Sequence, residues 1–208
     1  RPGCTYETSF KLYADETGVQ PTTYARVVTD RLRGKVVLQY WFWYYFNDWN
    51  NTHESDWEMV QLVFDAFSAE EALGLEPGAV GFAQHGGGEL ASWDDAKLGR
   101  DGDRIVVYPA AGSHGTYYGN ELYIGWGENG TGFGCDNTTT PARMVPLDVV
   151  LLPDDPDPNS EFGWMLFEGR WGELKSWEYS GPYGPNAGSK WRQPVVAMEN
   201  WRDTSLSV

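Results

Sequence analysis

The chain is short of cysteine, histidine and positive charge. Only two cysteines, Cys4 and Cys135, occur in 208 residues, so no dense disulfide scaffold can hold the fold. No stretch approaches the roughly 18 apolar residues of a membrane-spanning helix, and no transmembrane segment is expected. Lys and Arg number 15 against 30 Asp and Glu, a net charge of -15. A surface that negative repels phosphate backbones, which argues against nucleic acid as a partner. The glycine run Gly86-Gly87-Gly88 is not followed by Lys and Ser or Thr, so it is no phosphate-binding P-loop. The start, Arg1-Pro2-Gly3-Cys4, does not have the pattern of a signal peptide and reads as a mature or trimmed N-terminus.

Aromatic residues are abundant. They make up 15% of the chain, with 11 Trp and 12 Tyr, alongside 25 Gly and 12 Pro. Aromatics favour strands, while Gly and Pro punctuate turns. The expectation is an all-β fold: one domain over 1–208, a two-sheet β-sandwich with short helical turns and long loops. Strands are predicted at 24–30, 35–46, 57–64, 79–84, 104–110, 121–126, 146–152 and 163–168. The segment 35–46 (KVVLQYWFWYYF) is apolar on both faces and belongs in the middle of a packed sheet. Residues 68–75 suit a short helix, with Ser68 as N-cap and Glu71 three residues on. No period of 3.6 runs beyond two turns elsewhere. The acidic, proline-rich 153–158 is a surface loop, with the tail after it packing back on the same core.

Three glycosylation sequons begin at Asn50, Asn129 and Asn137. With the two cysteines they favour a secreted protein in which Cys4 pairs with Cys135. Two reduced thiols in a cytosolic protein are the alternative. The aromatic excess also suits sugar binding, because flat rings stack on sugar faces; a Trp-rich core is the plainer explanation.

All three histidines, His53, His85 and His114, stand beside glycine or small polar residues at strand ends. Loops at strand ends are where sites are built, so these residues are expected to converge. Asp56 and Glu58 are two apart and share one strand face, which Val60, Leu62 and Phe64 continue. Adjacent carboxylates at the rim of an apolar layer need a proton or a cation between them. His53 can add a nitrogen, and Asp48 or a neighbouring Asn an oxygen. That mixed set suits Mg²⁺, Ca²⁺ or Mn²⁺ better than zinc. The Gly112-Ser113-His114-Gly115 turn can aim backbone N–H groups at a ligand, or be a plain glycine turn. His85, Ser113 and Tyr117 are the candidate ligand-binding residues, and His114 and Glu54 the candidate general acid or base.

The motifs Leu38 to Phe42, Asn47-Asp48, His53 to Glu58 and Val107 to His114 resemble the family labelled vacuolar protein sorting-associated protein 62. So do Gly169 to Gly172, Gly181 to Pro185 and Trp191. A more distant resemblance is to the necrosis- and ethylene-inducing peptide-like proteins, whose heptapeptide Gly-His-Arg-His-Asp-Trp-Glu aligns with Thr52 to Glu58. The first His, the Asp, the Trp and the Glu match, and the chain departs at Thr52, Glu54 and Ser55. That resemblance implies a secreted β-sandwich. It also implies a divalent cation held by His53, Asp56 and Glu58 with Asp48 as fourth ligand, and a glycolipid headgroup as partner.

Three readings follow. The first is a secreted, metal-binding β-sandwich that recognises a glycan or glycolipid. The second is a hydrolase, either metal-dependent or a glycosidase using Glu54, Asp56, Glu58 or Glu89. The third is a membrane-active, cytolysin-like protein, by resemblance alone.

Overall fold

The computed structural model describes residues 2–126, 133–139, 148–176 and 179–203. It is mostly β. A mixed seven-stranded sheet has the order β12-β1-β2-β3-β4-β5-β13, and three two-stranded ribbons accompany it. In the sheet are β1 (Thr22–Asp30), β2 (Lys35–Asn47), β3 (His53–Asp65), β4 (Ala79–Gln84), β5 (Gly87–Ser92), β12 (Asp148–Leu151) and β13 (Arg202–Asp203). The ribbons pair β6 (Arg100–Asp101) with β7 (Arg104–Ile105), β8 (Tyr108–Pro109) with β9 (Thr116–Tyr117), and β10 (Leu122–Trp126) with β11 (Phe133–Asn137).

The doubly apolar segment sits where its pattern demands. β2 is a central strand, antiparallel to β1 and β3. On one face Val37 and Trp41 join Met59, Val63 and Ala83 under Trp191, Met198 and Trp201 of the C-terminal segment. On the other, Leu38, Tyr40 and Phe42 pack with Val60, Leu62, Val80 and Phe82 beneath Ile105, Val107 and Tyr118. The tail does fold back on the core, as the sequence suggests. It is pinned there by buried polar groups. Gln39 Nε2 donates to Gln61 Oε1 at 2.8 Å and to the Lys190 carbonyl at 2.7 Å, and Gln61 Nε2 donates to the Pro194 carbonyl at 3.1 Å. A buried amide stabilises only when its partners are present, so these two glutamines specify where the tail docks.

Several expectations are corrected. The N-terminal segment is helical: α1 spans Pro2–Thr17. Tyr6, Phe10 and Tyr13 form its one apolar stripe, and they touch Phe46 and Tyr45. The other positions give no periodic signal because they face water. Residues 163–168 hold a 3₁₀ turn at Gly163–Leu166, not a strand; it places Met165 in the core. The predicted 104–110 strand is two short ones, β7 and β8. The strand predicted at 57–64 starts earlier, at His53. In the C-terminal segment lie α3 (Ser189–Arg192) and α4 (Pro194–Met198). The helix α2 (Ala69–Ala72) forms as predicted, with Ser68 Oγ accepting from the Glu71 N–H. The 153–158 segment has no regular structure, and residues 146 and 147 of the predicted 146–152 strand lie outside the described residues.

Cys4 and Cys135 are free and exposed, which corrects the expected disulfide. Cys4 sits on α1, whose Tyr6 is anchored to Phe46 and Glu173. Cys135 sits on β11, where its carbonyl meets the Trp49 indole. Each segment has its own attachment without a covalent tie. Among the described residues no helix is long and apolar enough to cross a membrane. Of the sequons, that at Asn129 lies outside the described residues.

The glutamine clamp makes a direct prediction. Gln39→Ala leaves Gln61 Oε1 without its donor and the Trp41 indole N–H without its acceptor inside the core, and takes a donor from the Lys190 carbonyl, at a cost of about 1–3 kcal/mol. Urea unfolding should show a lower midpoint with an unchanged slope. An unaltered midpoint would contradict this role for the clamp.

Candidate functional site

The site grows from the end of the β2–β3 pair. Phe42 is opposite Glu58 and Tyr44 opposite Asp56, so both carboxylates project on the face that Val60 and Leu62 continue. Two neighbouring turns close over them. The β4–β5 turn brings His85, whose backbone N–H reaches Glu58 Oε1 at 3.4 Å. The β8–β9 turn brings His114, whose Nδ1 lies 3.0 Å from Asp56 Oδ2. The His114 ring stacks on Tyr44, with centroids 3.9 Å apart and planes at 9°.

Local geometry explains how these turns are held. Gly112 has φ +92, and a Cβ there would lie 2.8 Å from the Asp48 carbonyl oxygen. Asp48 N–H in turn donates to the Gly112 carbonyl at 2.9 Å. Only glycine serves at that contact. Ser55, His85 and His114 have φ of 61, 49 and 61, the positive-φ non-glycine residues among those described. Each left-handed residue costs on the order of 1–3 kcal/mol. All three adjoin the Asp56–Glu58 pair: Ser55 precedes Asp56, His85 bonds Glu58 and His114 bonds Asp56.

A second carboxylate centre lies beside the first. Asp136 Oδ1 accepts from Ser113 Oγ at 2.5 Å, and its Oδ2 accepts from the Tyr117 hydroxyl and faces His85 Nε2 at 3.3 Å. Burial alone would raise the Asp136 carboxyl, but the hydrogen bonds from His85, Ser113 and Tyr117 hold it below the usual range. Burial, then the charge and hydrogen bond of Asp136, push the Tyr117 hydroxyl up. For His85, burial pulls down, yet Asp136 and the field of Glu58 lift it to about 8. Burial, against the opposing field of Lys190, pushes Glu58 up to about 8, and the charge of Asp56 adds to the rise.

His85, Tyr117 and Asp136 line an open cleft of 520 Å³ together with Trp49, Tyr123 and Arg202. Tyr117 and Tyr123 stack at 3.9 Å, and the Trp49 ring leans on His85 at 5.7 Å. The Trp49 indole packs over Gly134, where a Cβ would lie 2.6 Å from it. Arg202 Nη2 meets Glu89 Oε2 at 2.5 Å, and Glu89 is fully buried below.

The residues singled out from sequence are thus distributed. His85, Ser113 and Tyr117 meet around Asp136, while Asp56, Glu58 and His114 meet one layer behind. The cleft lining does not include His114. Glu54 turns elsewhere, its Oε2 accepting from the Glu173 N–H at 2.7 Å. His53 is buried with Nδ1 3.1 Å from the Glu54 carbonyl. Asp48 caps its own loop, with Oδ1 3.5 Å from Thr52 Oγ1. Among the described residues no three His, Cys, Asp or Glu side chains gather as ligands of one ion. Asp56 and Glu58 have the donor chemistry for a hard cation; His53 and Asp48 as placed do not complete a set. Asp136, Trp49, Tyr123 and Arg202 were not foreseen. The signal for Asp136 is slight, a lone acid on a strand that faces Tyr123 only through pairing.

No family model matches the chain, so the resemblance to the vacuolar sorting family gains no support, and no curated protein matches it. The chain is similar to solved structures of the necrosis- and ethylene-inducing type. One is the Necrosis and Ethylene inducing Protein 2 from the causal agent of cocoa's Witches Broom disease, with TM-score 0.42 and 15% identity, covering 86% of this chain and 69% of that one. Another is NLPPya in complex with glucosamine, with TM-score 0.39 and 17% identity, covering 62% and 49%. The non-toxic HaNLP3 protein is a third, at 0.34 and 13%, covering 62% and 50%. The chain spans about half the length of the NLPPya and HaNLP3 chains.

The two raised groups fix a pH dependence. Glu58 releases its proton near 4.5 when unfolded but near 8 when folded, and His85 near 6.5 and near 8. Between those limits the folded chain holds more protons, so stability falls as pH rises. The Glu58 share is lost progressively above 4.5; the His85 share is full below 6.5 and gone above about 8. Thermal melts with chelator present should show Tm dropping from pH 5 to 8.5, and Glu58→Gln should flatten the part below 6.5. A flat wild-type profile would contradict a Glu58 raised by burial.

Proposed function

We propose that the chain is a secreted β-sandwich domain that recognises a glycan or glycolipid, and that the cleft around Trp49, His85 and Asp136 is its sugar site. The observation that carries this reading is the composition of that cleft. Aromatic faces and a few fixed polar groups line one open depression, the arrangement that holds a sugar ring by stacking and by hydrogen bonds. The strain at Ser55, His85 and His114 adds support, since left-handed non-glycine residues collect where function requires them. The sequons at Asn50 and Asn137 are consistent with secretion.

A divalent cation, Mg²⁺, Ca²⁺ or Mn²⁺, remains part of the proposal. Its support is the adjacent Asp56 and Glu58, the latter buried with one long hydrogen bond from His85. When bound it would neutralise the two carboxylates behind the cleft and brace the His85 turn that lines it. Calorimetry tests it: Glu58→Ala should abolish the Mg²⁺, Ca²⁺ and Mn²⁺ isotherms. An unchanged isotherm removes the cation from the account.

The hydrolase reading has less support. Ser113 gives its hydrogen to Asp136, and the cleft lining includes none of Glu54, Asp56, Glu58 or Glu89. Membrane activity rests on the resemblance alone.

Glucosamine and mannosamine, the ligands in two NLPPya complexes, are convenient first probes along with a broader glycan array. Trp49→Ala should weaken binding of any glycan hit about tenfold, because base- and sugar-sized rings lose on the order of 1–3 kcal/mol without their stacking partner. Equal binding by wild type and Trp49→Ala would place the sugar elsewhere.

A further inference from the structure

The acid that lines the cleft and the one buried beneath it are already engaged. Asp136 takes hydrogen bonds from Ser113 and Tyr117 and faces His85. Glu89 takes them from Arg202 and from the Tyr118 N–H at 3.4 Å. What the cleft still offers is donor capacity, above all at Arg202. Its side chain is 57% exposed, and Nη2 alone goes to Glu89 among the described residues. The remaining guanidinium N–H groups form a planar fork, which matches the two oxygens of a carboxylate.

The fork is held in place rather than left to wander. β13 pairs in parallel with β5, which puts Arg202 directly beside Glu89. The preceding Trp201 packs into the space above Gly88, where a Cβ would come within 2.5 Å of the indole. Glu89, fully buried, fixes one edge of the guanidinium. Lys190 stands close behind, its ammonium donating to the His85 carbonyl at 2.5 Å and lying 5.7 Å from the Trp201 ring centre. In a chain with a net charge of -15, Arg202, Lys190 and His85 thus gather around one depression. These cationic donors offer an anion a local attraction that most of the acidic surface denies it. Asp136 and Glu89 beside the fork disfavour a dianion and suit a single negative charge.

We propose that the cleft takes an acidic saccharide, with a uronate carboxylate on the free edge of Arg202 and the sugar ring against Trp49. This rests on the glycan reading above and names its ligand class. Neither element alone would define the ligand. The fork would accept any carboxylate, and the aromatic wall any sugar; together they select a sugar that carries a carboxylate.

Calorimetry with a trimer of galacturonic acid, its methyl ester, cellotriose and acetate tests the proposal. The acid trimer should bind at least tenfold tighter than the ester, and more weakly as salt is raised. Arg202→Lys keeps a cation for Glu89 but loses the fork, and should narrow that preference to below threefold. Should Arg202→Lys not fold, the paired change Arg202→Gln with Glu89→Gln removes the buried acid along with its partner and should narrow it likewise. Equal affinity for acid and ester, or an undiminished preference in folded variants, overturns the uronate assignment while leaving glycan binding intact. Competition by acetate at the trimer's own concentration overturns it too, as a bare carboxylate site. Binding of none of the saccharides here or on the array would instead fail the glycan reading itself.

Discussion

The pairing of β2 with β3 is the constraint on which the rest depends. It is antiparallel with one register from Lys35↔Asp65 to Asn47↔His53. Because side chains alternate, that single register decides which residues meet each core. It sends Trp41 and Met59 to one face and Phe42 and Val60 to the other. It brings Gln39 opposite Gln61, where they clamp the C-terminal segment. At its far end it delivers Asp56 and Glu58 to the rim of the second core. A shift by one residue in β3 would turn Asp56 and Glu58 under the tail and exchange the side chains that its two faces give to the two apolar layers.

The site beyond that rim shows how the same group behaves under two environments. Glu58 and Asp136 are both buried carboxyls. Asp136 is surrounded by Ser113, Tyr117 and His85, and hydrogen bonding overcomes its desolvation. Glu58 has the His85 backbone N–H at 3.4 Å, and desolvation prevails. His85 belongs to both, its ring facing one acid and its amide the other, in a left-handed conformation that costs stability. The structure therefore spends folding free energy to hold one side chain between two acids at the edge of an aromatic cleft. That concentration of strain and opposed carboxyl environments distinguishes this end of the sheet from the opposite face around Trp57, Trp164 and Trp171.

Much of this was legible in the sequence, and the failures have physical causes. The all-β class, the central position of 35–46 and the shared face of Asp56 and Glu58 all follow from periodicity, which is local. The three histidines at strand ends were visible too, but their separation into two layers depends on how the β4–β5 and β8–β9 turns close, which is not local. The helix α1 escaped notice because Tyr6 alone of its three-aromatic stripe is buried. The 163–166 turn imitates a strand because Trp164 and Met165 are apolar for core packing, not for a ladder. Asp136 and Arg202 owe their roles to Ser113 and Glu89, partners 23 and 113 positions away in the chain. The expected Cys4–Cys135 bridge failed for the same reason: spacing in sequence says nothing about which segments become neighbours.

The central claim is that a saccharide occupies the cleft beside His85 and Asp136. The most direct measurement is NMR of the ¹⁵N-labelled chain during titration with the best-binding glycan. The account predicts that the Trp49 indole N–H shifts together with backbone amides of 84–88 and 134–136, and with the same midpoint. Shifts confined to the aromatic face around Trp164 and Trp171, with the Trp49 signal unmoved, would contradict it.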